Sequence, residues 1–498
     1  MTPGTRDAAG PVVPPGDARY PTLVRGFNLR WVGAPAYVEV VRDAGEVVDA
    51  LRRALDAGLR VTVRGGGHCY EDFVSGNDGG VILDLSPMHA VYRDGASDRY
   101  VVEGGATLWN VYGELYRRYG VTLPGGSCYS VGAGGHVTGG GYGLLSRKHG
   151  LVVDYLDAVE MACVDASGEV ELVTVERGST ATDEADLLWA NQGGGGGNFG
   201  IVTKFVFRDP PPAPAEALLL TLAWDWAGLT EDAFARLVGN YGAFLAANSD
   251  VDSPYDGLFA LLHLTQRAPH PAPSTQVVLT AQYVGARSEL LRDFARAVCD
   301  GLPSAVGQRA PVGWHHFALP TTDVRALPWL FATQTLNGSG PNRRGKYKSA
   351  YMKRPFPASQ VEAMWRHLAD ARVPNTQALL QVDSYGCRVN AVAPDATAIP
   401  QRSSIMKLQY QTYWTDSTQD SENLEWIRAF YRDMYGERGP YPDDVVDGCY
   451  VNYPDVDLED WQYLYYKDAY ARLQRVKRRW DPNDVFNHAQ SIELPPDA

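Results

Sequence analysis

Two textures of apolar patterning divide this chain. Up to about residue 208, short apolar runs alternate with helical ones. Residues 36–42 (AYVEVVR) have strand character, and residues 44–57 carry Val47, Val48, Leu51 and Leu55 at helical spacing, closed by Gly58. A short strand over 60–63 runs into RGGGH. Residues 81–85 and 100–103 read as further strands, and 108–119 as an amphipathic helix that stops at Gly120. Residues 158–164 and 170–175 form a strand pair across the turn 165–168. Residues 183–191 read as a helix and 201–207 as a strand.

The proline run at 209–214 (DPPPAP) marks a stiff spacer and a change of domain. Beyond it, strands at 217–223, 276–283, 379–384 and 406–413 mix with helices at 230–246, 286–299 and 358–372. This pattern predicts an antiparallel sheet covered by helices, and an α+β class for the whole chain. From about residue 440 the chain turns aromatic. A helix-like run covers 460–480, followed by DPNDVFNHAQSI. The expected division is a disordered lead over 1–18, a first part of one domain over 19–208, a second domain over 209–440, and a return to the first over 441–498.

Composition narrows the function. At 498 residues the chain exceeds what one core usually serves. Its net charge of −14 disfavours nucleic acid as a partner, because phosphate binding needs a basic surface. The start has no apolar core of a secretory signal, and no run of about 18 apolar residues indicates a membrane span. The six cysteines are scattered without a CxxC pair, so neither a disulfide framework nor a zinc site is expected. A reducing cytoplasm suits such thiols. His315 and His316 have no partner at metal-ligand spacing and read as structural, so no metal is expected. Arg343, Arg344, Lys346, Lys348, Lys353 and Arg354 form a basic cluster. It reads first as solvated surface and second as a contact for an acidic group.

The 51 glycines are clustered, which points to backbone approaching a ligand. The spacing GxGxxG occurs at Gly195, Gly197 and Gly200. Here a helix precedes and a strand follows, the reverse of a dinucleotide fingerprint, so a Rossmann site is rejected. Two other stretches combine bare backbone with a reactive side chain. In VRGGGHC (63–69), Gly65, Gly66 and Gly67 expose successive N–H groups that form an anion-binding nest, with Arg64 beside them and His68 after them. In PGGSCYSVGAGGHVTGGGYG (124–143), Cys128 takes the place of His68. Read alone, the first is equally a ligand-free turn, His68 a turn residue and Cys128 a small buried hydrophobe. Their pairing is the signal.

With GGGGGNFGIVT (193–203), YVNYPDVDL (450–458) and FNHAQSI (486–492), these stretches resemble the FAD-linked oxidases with a vanillyl-alcohol-oxidase type of flavin domain. The resemblance is closest to the berberine-bridge-enzyme-like branch with bicovalent FAD, and covers nearly the whole chain. HCYEDFV (68–74) and DSPYDGL (252–258) resemble bacterial enzymes that oxidise alcohols on secondary metabolites or their sugars, including glycopeptide hexose oxidases.

The resemblance implies FAD bonded to His68 through a ring nitrogen and to Cys128 through sulfur. It implies a pyrophosphate cradle over 63–69, including Cys69. Backbone contacts are implied at Gly132, Gly134, Gly135, Gly140, Gly141, Tyr142, Gly143, Val153, Gly200, Ile201, Val202 and Asn452, with His136 on the ribityl chain. Val131 falls where the family gates oxygen. Tyr453 falls at the position of the usual base, with Tyr450 beside it and Tyr385 as a second tyrosine on the substrate side. Cys387 departs from the family's second glycine in YGG, which puts the backbone there in question.

The chemistry implied is hydride removal from an alcohol carbon of a natural product or its sugar, with oxygen as the final acceptor and hydrogen peroxide as product. A base must take the hydroxyl proton, and a tyrosine can do so only if a positive charge or donors lower its ordinary pKa of about 10. Oxidative cyclisation or C–C bond formation, oxidation of free sugars, and an electron-carrying flavoprotein are the rival readings. Oxygen uptake and product mass separate them.

Overall fold

The structure, a computed structural model, describes residues 10–269, 275–285, 287–310 and 322–496. His315 and His316 and the first nine residues of the expected lead lie outside these ranges.

Among the described residues, sixteen strands form three sheets. The first has the order β1-β2-β4-β3, from Val12–Val13, Tyr37–Val40, Val61–Arg64 and Val81–Asp84 in chain order. Its β2, β4 and β3 are parallel, and β1 is antiparallel to β2. The lead is therefore not disordered over residues 10–18: Val13 is fully buried and Val12 pairs with Glu39, because β1 covers the free edge of β2.

The second sheet, β5-β6-β9-β7-β8, takes Val91–Arg93, Tyr100–Glu103, Leu156–Val164, Val170–Glu176 and Ile201–Phe207 as β5 to β9, all antiparallel. The helix Ala44–Asp56 packs between these two sheets. Asp43 caps it by accepting the Glu46 N–H, and Val47, Ala50, Leu51 and Ala54 are buried. The helix Leu108–Tyr119 carries a reciprocal cap between Thr107 and Asn110 and ends at Gly120 with φ 67°, as its sequence predicts.

The third sheet takes Glu216–Asp225, Leu258–Thr265, Gln276–Tyr283, Arg325–Pro328, Arg344–Met352, Leu379–Ser384 and Met406–Trp414 as β10 to β16. Its order is β13-β10-β12-β11-β15-β16-β14, antiparallel throughout. Sequence patterning missed β11, β13 and β14. The central strand β11 (LFALLHLT) is buried on both faces and shows no alternation.

Helices Glu231–Ala247, Glu289–Cys299, Ala358–Leu368 and Asp420–Tyr435 form the layer on one face of this sheet. Tyr410 of β16 packs there against Phe430, Tyr431 and Tyr435. The other face looks towards the first two sheets.

The tail is two helices rather than one run. Trp461–Tyr466 and Tyr470–Trp480 are separated at Lys467, whose φ of 48° breaks the helix while its ammonium reaches Asp447 at 2.6 Å. Among the described residues no helix is long and apolar enough to cross a membrane.

Candidate active site

The two glycine loops touch backbone to backbone. A Cβ at Gly66 would overlap the Gly132 nitrogen, and one at Gly132 would overlap the Gly66 nitrogen. Each glycine is thus required by the other loop. Gly67 adopts φ 70° and its carbonyl accepts the Phe27 N–H at 2.7 Å, which fixes the turn before His68.

Both loops open onto one cleft of about 380 Å³. It is lined by His68 and Cys128, by Arg64, Gly65, Gly66, Gly67 and Cys69, and by Val131, Gly132, Gly134, Gly135, His136, Tyr142 and Gly143. Gly200, Ile201, Val202, Tyr450, Asn452 and Tyr453 complete the predicted set within it. Gly195, Gly196 and Gly197 contribute bare backbone to the same wall, and a Cβ at Gly135 would meet no protein atom within 4 Å.

Other predicted residues stand behind the lining. Gly140 and Gly141 back onto Ile399 and Val152, and Val153 is fully buried. Tyr385, expected on the substrate side, is instead fully buried and does not line the cleft, with its hydroxyl donating to the Gln401 carbonyl at 3.1 Å. The Arg64 guanidinium is engaged by Asp84 and the carbonyls of Leu23 and Arg25, so it is no free cation for a phosphate.

His68 stacks on Phe27 and its Nε2 meets Ser130 Oγ at 2.8 Å. Burial pushes its pKa down to about 4, leaving a neutral imidazole at physiological pH. Burial also pushes the Cys128 thiol up to about 11, opposed by hydrogen bonds from Ser127 and the Gly338 backbone. His136 is likewise held neutral by burial and by the Lys407 charge, at about 4, and its Nε2 accepts the Gly126 N–H at 3.1 Å.

Two tail tyrosines face this pair. The Tyr453 hydroxyl accepts a hydrogen bond from Lys407 Nζ at 3.0 Å, and Lys407 is ion-paired to Asp383. Burial, with the Asp383 charge, raises Tyr453 well above its ordinary value, and the adjacent ammonium works in the opposite direction. The Tyr450 oxygen accepts from Asn452 Nδ2 at 3.0 Å and from the N–H groups of Gly141 and Tyr142. Burial raises Tyr450 as well, against those donors and Lys407.

Lys407 belongs to a polar stripe across the third sheet. In the register of β15 and β16, Asp383 lies opposite Lys407 and Gln381 opposite Gln409. β11 extends the stripe, with His263 opposite Gln381. His263 Nε2 meets Gln381 Oε1 at 3.0 Å, Gln381 donates to Asp383 at 2.7 Å, and Gln409 donates to the Tyr70 hydroxyl at 3.0 Å. Of these, His263, Gln381, Asp383, Gln409 and Tyr70 line the cleft, and Lys407 stands buried behind Tyr453.

Residues 35–174 match the family described as FAD binding domain, and residues 449–493 the one described as berberine and berberine like. The chain is 42% identical to aclacinomycin-N/aclacinomycin-A oxidase of Streptomyces galilaeus, over 96% of this chain and 89% of that protein. It is 38% identical to hexose oxidase of Chondrus crispus, over 96% and 93% of the two chains. The crystal structure of a glycopeptide hexose oxidase complexed with teicoplanin superposes with a TM-score of 0.89 at 38% identity, covering 97% of this chain and 98% of that one. The chain belongs to the berberine-bridge-enzyme-like FAD-linked oxidases.

This FAD-linked oxidase has a cleft suited to its cofactor. Its long wall is bare glycine backbone, as a flat ring and a pyrophosphate need, and it carries one imidazole and one thiol. Sequence reading of the oxidase missed Lys407, Asp383, Gln381, Gln409 and His263. The signal was present: Lys407, Gln409 and Gln411 are polar at every second position of the strand, which puts them on one face.

The basic cluster has a different place in the oxidase. Lys346 and Lys348 are buried on the sheet face away from the cleft, where they pair with Glu71, Asp455 and Asp457. Arg344 pairs with Asp420. These three are neither solvated surface nor a contact for an acidic ligand. Burial works against the charge of Lys346, but Asp455, Glu71 and Asp457 outweigh it and hold the ammonium above the ordinary lysine range.

Proposed function

We propose that this enzyme oxidises an alcohol carbon of a bulky natural product or its sugar, with FAD joined covalently to both His68 and Cys128. The observation that carries this reading is the 3.0 Å contact from buried Lys407 to Tyr453, which lines the same cleft as His68 and Cys128. Bound FAD supplies the acceptor for a hydride from the carbinol carbon and, with oxygen, the route to hydrogen peroxide. Tyr453 takes the proton of the substrate hydroxyl. Lys407 stabilises the phenolate oxygen this requires, and Asp383 balances the lysine charge. Tyr450, held by three N–H donors, borders the same reaction space and orients the substrate hydroxyl.

The amides of Gln381 and Gln409 give a sugar's hydroxyl groups partners on the wall facing the glycines. Relatives whose names carry a glycosylated natural product or a hexose support that class. Glycines of both loops, Cys69, Ile201, Val202 and Asn452 line the cofactor, while Gly140, Gly141 and Val153 support that lining from behind. Val131 borders the space where oxygen reaches the cofactor. The flavin-binding body comprises residues 19–208 and 441–498, with the substrate-binding part between them. Six free thiols fit a reducing cytoplasm.

The test is peroxide release during a screen of glycosylated natural products, simple alcohols and free sugars, with product masses. The expected product has lost two hydrogens and gained no ring. Turnover that needs an added acceptor protein instead of oxygen overturns the oxidase reading. FAD released on acid denaturation overturns the covalent one.

A further inference from the structure

A two-serine relay holds the His68 ring. His68 Nε2 lies 2.8 Å from Ser130 Oγ. Ser130 Oγ donates in turn to Ser339 Oγ at 2.9 Å, and the Ser130 N–H donates to that same oxygen at 3.1 Å. Ser339 comes from the segment that enters β14, in the part of the chain that builds the third sheet. That segment is seated on the Cys128 loop by a second clasp. Asn337 Oδ1 accepts both the Ser339 N–H at 2.9 Å and the Tyr129 N–H at 3.0 Å. Meanwhile Phe27 stacks on the imidazole with centroids 4.4 Å apart and planes 25° from parallel.

These contacts divide the task. Phe27 sets the plane of the ring, and Ser130 sets its rotation within that plane. Because the Ser130 hydroxyl hydrogen is directed at Ser339, the Ser130 oxygen is left to accept. Nε2 is therefore the ring nitrogen that carries hydrogen, and Nδ1 keeps the lone pair.

We propose that Ser130, backed by Ser339, is the positioning residue for attachment of FAD to His68: it holds the Nε2–H, so that Nδ1 acts as the nucleophile. This rests on the bicovalent reading above. In the step, a bond forms between His68 Nδ1 and the flavin 8α carbon. One C–H bond of the flavin methyl group and the imidazole N–H bond break. The Nε2 proton leaves along Ser130 and Ser339 as the ring takes up positive charge. The flavin gains two electrons, and oxygen then removes them with two protons as hydrogen peroxide. Since Ser339 belongs to the substrate-side segment, attachment at His68 also requires that segment to be seated on the Cys128 loop.

The experiment uses full-length protein in a Cys128→Ala background, where His68 is the one attachment point left. Protein made under riboflavin limitation is mixed with FAD. Flavin fluorescence that survives acid denaturation is followed over time, with the mass of the His68 peptide as confirmation. Ser130→Ala is expected to slow attachment about 100-fold, the usual penalty for a misplaced reacting group. Ser130→Thr restores it, and Ser339→Ala slows it by less. In a His68→Ala background, Ser130→Ala leaves attachment at Cys128 unchanged. Equal rates with and without Ser130 in the Cys128→Ala protein overturn the proposal, as does equal slowing at both attachment points. If the Cys128→Ala protein with Ser130 intact never retains flavin through acid, the bicovalent reading itself has failed.

Discussion

Lys346 Nζ lies 2.6 Å from Asp455 Oδ1, and through this contact β14 holds the tail segment that carries Tyr453. The same ammonium is paired with Glu71, three residues after His68 in the chain. One buried cation thus ties the histidine loop to the tyrosine loop from behind the cleft.

Lys346→Met leaves Glu71 and Asp455 buried without that charge. Removing one partner of a buried pair costs about 3–5 kcal/mol. Chemical denaturation should show the lower midpoint, and Tyr453-dependent turnover should fall in the protein that remains folded. A midpoint within error of the parent contradicts this assignment.

Tyr453→Phe should fold and keep its covalent flavin, yet slow anaerobic flavin reduction by about 10²–10⁴-fold, the range for a lost general base. In the proposed reaction the active form is the phenolate, and burial raises the Tyr453 pKa. Reduction should therefore speed up as pH rises towards the alkaline range. Lys407→Met removes the ammonium 3.0 Å from the oxygen and should move that rise to higher pH. Stopped-flow reduction of both variants across pH separates the two roles. An unmoved profile in Lys407→Met denies the lysine its role.

Much of this site was legible in the sequence because its chemistry sits in unusual surroundings. His68 and Cys128 stand out against glycine. Lys407 does not, since a lysine alternating with Gln409 and Gln411 in MKLQYQTYW reads as the wet face of a strand until the register sets it opposite Asp383. Lys346 and Lys348 misled for a related reason. A dense cluster of arginines and lysines reads as surface charge, and the acids that bury Lys346 and Lys348, Glu71 and Asp455, are distant in the chain. Tyr385 resembled Tyr450 and Tyr453 in type, and only packing separates them: its hydroxyl is used by the Gln401 carbonyl. The fold was clearest where caps and periodicity agreed, as in Ala44–Asp56. It was least clear in β11, which is apolar at nearly every position. The departure at Cys387 is real, since that residue adopts φ 54°, a left-handed conformation in which glycine is unstrained.

Gly66→Ala and Gly135→Ala make a matched pair. The first methyl would overlap the Gly132 nitrogen, while the second meets no protein atom within 4 Å. Gly66→Ala should cost about 1–3 kcal/mol, the range for forced overpacking, and should abolish covalent flavin. Gly135→Ala should leave thermal stability of the cofactor-free protein close to the parent and weaken retention of added FAD. Equal melting points for the two variants contradict the loop contact.

His136 and His263 both have pKa values pushed by burial from 6.5 down to about 4. Between these values the unfolded chain binds more protons than the folded one, so stability falls as pH drops through this window. Denaturation midpoints measured from pH 6.5 downwards should show the slope, and His263→Gln should flatten it. An unchanged slope in that variant removes His263 from the account.

The last stretch of the chain closes the glycine wall. The Ile492 N–H donates to Asn198 Oδ1 at 2.8 Å, and Lys477 Nζ to the Asn198 carbonyl at 3.0 Å. The order of synthesis then matters. A ribosome that has made His68 and Cys128 still has to deliver Tyr453 and these final clasps before the pocket exists. Stable cofactor loading is thus expected only after Ile492 has been made, and a chain that stops before Tyr453 is expected to release no peroxide.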